Sequence, residues 1–144
     1  MNTKRKTVIL GIIENSQGQI LMTQRIDPKI QDAHMKWDIV GGTKRNKESE
    51  IKTLKRECIE ETGYQITINK KLSKKITKRW NHTNYTLLVD IICFYCKSIG
   101  KISDKDKFQD KKINQVKWKQ KEEILTLDLL STTRELIKYF LKNL

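Results

Sequence analysis

The chain has 144 residues, with 30 Lys+Arg against 17 Asp+Glu and a formal net charge of +13. Six Gly and one Pro exclude collagen-like and linker-like classes, and the length suits a single domain spanning residues 1–144. No apolar run approaches the roughly 18–20 residues of a membrane span, and the apolar stretch at 8–13, closed by Glu14, is too short for a signal peptide, so a cytoplasmic protein with no membrane partner is expected.

In chain order, residues 8–13 and 20–25 are strand-like runs around the turn-rich stretch 15–18, which predicts a hairpin. A polar loop through Asp27, Pro28 and His34 leads to a short apolar run at 36–40 that ends in Gly41 and Gly42. A helix is predicted over 48–62, with Ile51, Leu54, Cys58 and Ile59 on its apolar side and Gly63 as its stop. Strand-like segments follow at 65–68, 74–79, 85–96 and 113–118. Thr132 and Glu135 have the spacing of a capping box, and Leu136, Ile137, Phe140, Leu141 and Leu144 form the stripe of a last helix. Strands before, between and after two amphipathic helices predict an α/β fold, a mixed sheet with helices packed on it.

An odd set of three cysteines is no disulfide framework. Cys93 and Cys96 have C-x-x-C spacing but lie in a strand-like run, where positions three apart point to opposite faces and cannot share one metal. The densest basic stretch, 70–79, holds six Lys and Arg but no aromatic before Trp80. Lys outnumbers Arg by 24 to six, and 19 Ile and eight Asn stand beside one Ala, the pattern AT-rich codons give. Nucleic acid is therefore not expected as the main partner, and an anionic small substrate fits the charge equally well.

The informative segment runs from Gly41 to Tyr64, where Glu48, Glu50, Glu57, Glu60 and Glu61 crowd into a lysine-rich chain. On a helix, Glu57, Glu60 and Glu61 fall within an arc of roughly 100°. Carboxylates that close repel unless a cation sits among them, and a hard divalent ion, Mg²⁺ above all, suits oxygen ligands shared with water and phosphate. Arg56 lies one turn before Glu60 and is placed to orient a carboxylate. A bare backbone at Gly41 and Gly42 lets a main-chain carbonyl reach an ion. The bland alternative is a solvated Glu/Lys helix face. Trp37 and Trp118 offer rings for stacking a base, with core packing the commoner fate.

The spacing from Gly42 through Glu48 to Arg56, Glu57, Glu60, Glu61 and Gly63 matches every fixed position of the Nudix box, G-x5-E-x7-R-E-U-x-E-E-x-G-U, at residues 42–64. At this composition the chance of such a match is roughly 10⁻⁷. The chain resembles the Nudix (MutT-type) hydrolases, and the likeness extends to Gln24 and Arg25, to the run from Trp37 to Gly42, and to Val116 and Trp118 before Glu122 and Glu123. Cys58 and Tyr64 stand where aliphatic residues are usual, and Val40 replaces the usual proline.

The resemblance implies an α/β/α sandwich holding Mg²⁺ or Mn²⁺ on Glu57, Glu60, Glu61 and the Gly41 carbonyl. It also implies that Arg56 orients these groups, that Glu48 closes the loop onto the helix through Arg56, and that Arg25 and Trp37 bind substrate. Glu57 or a downstream acid would activate water. Many relatives carry that acid where this chain has Lys112, which leaves Asp110 or Asp106 as possible additional acids. The implied activity cleaves a diphosphate linkage in a nucleoside triphosphate, with oxidised or noncanonical dNTPs as the first substrate class. ADP-ribose or NDP-sugar hydrolysis, a non-catalytic nucleotide-binding module and an RNA-directed enzyme are the alternatives, and a homodimer is common in the family.

Overall fold

The structure is a computed structural model, and it describes residues 2–102 and 112–144. The elements are β1 (Asn2–Glu14), β2 (Ile20–Arg25), β3 (Trp37–Asp38), β4 (Val40–Thr43), α1 (Glu50–Thr62), β5 (Tyr64–Asn81), β6 (Tyr85–Lys101), β7 (Ile113–Lys119), α2 (Lys121–Ile124) and α3 (Ser131–Lys142). The sheet path runs β3-β2-β1-β6-β5, with β4 also on β1 and β7 also on β2.

β1 is the central strand. It runs parallel to β6 from Asn2↔Tyr85 to Glu14↔Lys97 and antiparallel to β4 from Val8↔Thr43 to Gly11↔Val40. Its inner half is apolar on both faces because each face is covered. Ile9 and Ile13 join Leu54 and Cys58 of α1 in one core, whereas Leu10 and Ile12 join Leu136, Ile137 and Phe140 of α3 in the other. The sheet therefore lies between α1 and α3 as an α/β/α sandwich.

The structure revises several expectations. The turn at 15–18 forms, with Asn15 Oδ1 accepting from the Gln17 and Gln19 N–H groups at 3.0 and 2.9 Å. The hairpin is short: β1 and β2 pair antiparallel at the rung Glu14↔Ile20, with the Asn15 N–H on the Gln19 carbonyl at 3.0 Å, and beyond it β2 pairs with β3 and β7. The run at 36–40 is divided between β3 on β2 and β4 on β1, a change of partner around Ile39. The two short strands expected after α1 are one 18-residue strand, β5, with register shifts that absorb its length.

α1 begins at Ser49, whose side chain accepts from the Lys52 N–H at 3.1 Å, so Glu48 is outside the helix. Gly63 ends it at φ 78°, a left-handed cap that favours glycine. Ile51 is 43% exposed rather than part of the apolar face, since Leu54 and Cys58 already fill the contact with the sheet. The capping box expected at Thr132 is absent. α3 starts two residues earlier, at Ser131 with Leu130 as its N-cap, and the Thr133 hydroxyl donates to Asp38 instead. Leu144, expected on the α3 stripe, lies beyond the helix and is exposed.

Candidate active site

The loop between β4 and α1 and the exposed side of α1 bring the box residues together. Arg56 is the hub. Its Nε and Nη2 donate to Glu48 Oε2 and Oε1 at 2.7 and 3.0 Å, a two-point clasp of the loop onto the helix. Nη1 donates to Glu57 Oε1 at 2.9 Å and to Glu60 Oε2 at 3.2 Å, while Nη2 also reaches the Thr43 carbonyl at 3.4 Å. Glu48 Oε1 further accepts from the Thr53 hydroxyl at 2.7 Å and the Arg45 N–H at 3.2 Å. The bond from Arg56 holds the Glu48 carboxyl at about 2 against the opposing effect of desolvation. Glu48, foremost, pushes the Arg56 guanidinium further up.

Glu57 behaves differently. Burial raises its carboxyl, and the neighbouring Glu60 adds to that, while Arg56 pulls the other way. Its carboxylate lies directly over Gly42, where a Cβ would stand 2.5 Å from Glu57 Oε1. Gly41, at φ 154°, turns its N–H to Glu61 Oε1 at 3.0 Å. The side-chain contact seen at Gly41 is thus made by its amide.

The sequence expectation of one tight carboxylate cluster is met only in part. Glu57 and Glu60 gather on Arg56, Glu61 faces Gly41, and among the described residues no three His, Cys, Asp or Glu side chains converge as a ready-made metal cage. The donor set is still entirely hard oxygen, and Glu48, Glu57 and Glu60 share a single guanidinium, leaving an excess of negative charge. Such a set suits Mg²⁺ or Mn²⁺ completed by water and phosphate.

Arg25 lies at the end of β2, with Nη1 3.7 Å from Asp38 Oδ2 and Nη2 4.0 Å from Asp27 Oδ2. Trp37 corrects its expected role: it is 8% exposed in the α3-side core, with Lys119 Nζ 5.0 Å from its ring centroid, so it offers no free face for a base. Trp118 packs edge-on against Tyr64 at 5.2 Å. Asp106 and Asp110 lie outside the described residues. Lys112, just before β7, accepts the Ile26 N–H on its carbonyl at 2.6 Å, so the chain re-enters the sheet beside Arg25.

The remaining candidates are structural. His34 Nδ1 accepts the Asp27 N–H at 3.0 Å, and His82 stacks on Tyr85 at 4.4 Å. Cys93 and Cys96 are buried in opposite cores, as the strand geometry requires, and burial pushes the Cys58 and Cys96 thiols up to about 12. Sequence reasoning missed Asp38, Thr53 and Thr133. The only signal for Asp38 was a charge inside an apolar run.

Comparison with known proteins agrees with this geometry. The model of the NUDIX domain matches residues 4–140. Among solved structures, the E. coli ORF135 protein superposes with a TM-score of 0.72 at 22% identity over 97% of this chain and 91% of its own. The MutT protein from Methanosarcina mazei Go1 gives 0.69 at 19% identity, covering 99% and 97%. A NUDIX hydrolase from Nitrosomonas europaea gives 0.74 at 19% identity, covering 97% and 90%. No curated protein sequence matches the chain significantly. The likenesses to solved structures show the fold, and the domain model shows the family: the chain belongs to the NUDIX domain family.

Proposed function

We propose that the protein is a divalent-metal-dependent nucleotide pyrophosphohydrolase that takes nucleoside triphosphates, oxidised or noncanonical dNTPs first among them. The observation that carries this reading is the Arg56 hub, which aligns Glu57 and Glu60 on one side of α1 while clasping Glu48 behind them. A solvated helix face would not gather three carboxylates on one guanidinium at 2.7–3.2 Å. Nor would it press a fourth, Glu61, against the backbone of β4.

Glu57, Glu60 and Glu61, with the backbone at Gly41, would hold Mg²⁺ or Mn²⁺. A bound divalent cation neutralises phosphate charge and makes the attacking water more acidic. Arg56 holds the Glu57 and Glu60 carboxylates on one side of α1, and Glu61 would have to close toward them around the ion. Water adds to phosphorus as the bridging P–O bond breaks, releasing a nucleoside monophosphate and pyrophosphate. The proton from water goes to a carboxylate. Of the described acids Glu57 is the one we assign, because its carboxylate lies directly over the bare Gly42 backbone beside the other ligands. Arg25 donates to an oxygen of the substrate.

Purified protein with Mg²⁺ is to be assayed against a panel of (d)NTPs, oxidised dNTPs, ADP-ribose, NDP-sugars and 5′-triphosphate RNA. Turnover of a triphosphate, lost on chelation, is expected. Glu60→Gln and Glu61→Gln should each lower kcat at least about 100-fold, as loss of a charge stabiliser does elsewhere, with an unchanged melting temperature. Full activity in either variant, or no hydrolysis anywhere in the panel, defeats the reading.

A further inference from the structure

Asp38 carries a buried charge that the chemistry above leaves unused. It ends β3 at 9% exposure, on the side of the sheet that meets α3. Its Oδ1 accepts from the Ile39 N–H at 2.8 Å and from the hydroxyl of Thr133 in the first turn of α3. Oδ2 faces Arg25 Nη1 at 3.7 Å. Burial pushes the Asp38 carboxyl up, opposed by Thr133, Arg25 and the Ile39 amide. A buried carboxylate weakens a fold unless its partners repay it, and an apolar residue would pack β3 more simply.

Arg25 is the other half of the arrangement. Among the described residues its nearest carboxylates stand at 3.7 and 4.0 Å, beyond hydrogen-bond length. Its Nε is buried and finds no hydrogen-bond partner among the described residues. A guanidinium presents five donors in a rigid plane. Here Asp38 and Asp27 stand near the two Nη groups while Nε is left without an acceptor, and a third of the side chain stays open to solvent. A buried donor without an acceptor is costly. Function is a common reason for one to persist.

We infer that Asp38, anchored by Thr133, is a positioning residue that turns the Arg25 guanidinium toward an oxygen acceptor of the bound nucleotide. The inference rests on the function proposed above. Asp38 and Gly42 are four residues apart, so at most about 14 Å of chain separates the Arg25 pair from the backbone beneath Glu57. The segment that carries the metal-side glycines thus also sets the arginine. α3 sets it too, through a side-chain bond spanning 95 residues.

The test follows the Arg25 Nε–Hε resonance in ¹H–¹⁵N spectra, assigned by its loss in Arg25→Lys. Asp38→Asn and Thr133→Val should both move it, whereas Thr133→Ser, which keeps the hydroxyl, should leave it in place. Titration of the parent with dGMP and, separately, with inorganic pyrophosphate should shift the same resonance. The responding titrant tells which end of the nucleotide Arg25 meets, and Asp38→Asn should blunt the response. On the best substrate of the panel, Asp38→Asn should raise KM about tenfold with kcat within about threefold, a loss of binding rather than of chemistry. A role confined to pinning α3 would lower the melting temperature and leave resonance and KM alone.

A resonance unmoved by Asp38→Asn and Thr133→Val, or by either titrant in the parent, overturns the inference even if the enzyme turns over. An inactive parent whose Arg25 signal still responds to dGMP or pyrophosphate, and less so in Asp38→Asn, retains the positioning role and refutes only the hydrolytic reading.

Discussion

A methyl group at Gly42 would stand 2.5 Å from Glu57 Oε1, yet the atom it meets is the free end of a flexible side chain. Gly42→Ala should therefore cost little stability, under about 1 kcal/mol, while driving the Glu57 carboxylate off its position. A displacement of 1 Å in a reacting group is worth about 100-fold in rate. Gly41→Ala is the counterpart with the opposite signature. Its φ of 154° disfavours any side chain, and its Cβ would collide with the Ile9 carbonyl and the Leu10 backbone, neither of which can yield. That variant should lose about 2 kcal/mol or more. Paired melting curves and initial rates separate the two glycines: Gly42→Ala folded and inactive, Gly41→Ala destabilised. Equal melting temperatures would contradict the division of labour between these neighbours. Both glycines and the whole Arg56 hub were legible from the chain, because each member sits at a fixed offset on or beside one helix. Asp38 was not, because its worth depends on Thr133, which no local pattern links to it.

Among the elements, β1 shows where sequence patterning runs out. Its apolar run predicted a strand at 8–13 but could not say that the partners would be β6 and β4 along most of its length rather than the next strand in the chain. Register between distant strands follows from packing on both faces, and that is invisible in a window of a few residues. The end of β1 is fixed by Glu14, which is only 6% exposed. It accepts from Lys97 of β6 at 2.6 Å, from the Tyr95 hydroxyl and from Lys121 of α2. Burial alone would raise the Glu14 carboxyl, but Lys121, Lys97 and Tyr95 together outweigh it and hold it at about 2. A depressed carboxyl contributes stability that is complete above the unfolded value near 4.5 and is lost as pH falls toward 2. Glu57 and Asp38 have raised carboxyls and act in the opposite sense, so the parent curve alone is a mixture. The difference between the parent and Glu14→Gln isolates the one group. It should be about 1–2 kcal/mol at pH 7, reduced because both lysines remain partly in water, and should shrink between pH 4.5 and 2.5 in denaturant titrations. A difference independent of pH would mean that the lysines do not depend on the charge of Glu14.

Across the whole molecule the excess of positive charge lies outside the segment that carries the carboxylates. The stretch from Gly41 to Tyr64 holds six basic and five acidic residues, so nearly all of the +13 belongs to the rest of the chain. Its densest part, residues 70–79, falls on β5, and β5 is the last strand of the sheet path, paired among the described residues only with β6. That placement gives the lysines a physical role that needs no nucleic acid. An 18-residue strand with one open edge is a template for pairing with another chain. Charges along it, together with its bulges, oppose that pairing. Removing them without touching the core is then a direct test of what the basic surface does. Lys75→Thr, Lys78→Thr and Arg79→Thr combined keep β-forming side chains on β5 and strip three charges from its outer half. The variant should fold and keep the parent's kcat, while light scattering reports an apparent mass that climbs with concentration more steeply than the parent's. Salt separates this from a steering role: the parent's KM should rise with ionic strength if the positive body draws polyphosphate inward, whereas edge protection leaves KM flat. If the variant stays as dispersed as the parent and its KM rises severalfold at low salt, the β5 lysines serve the substrate rather than guard the edge.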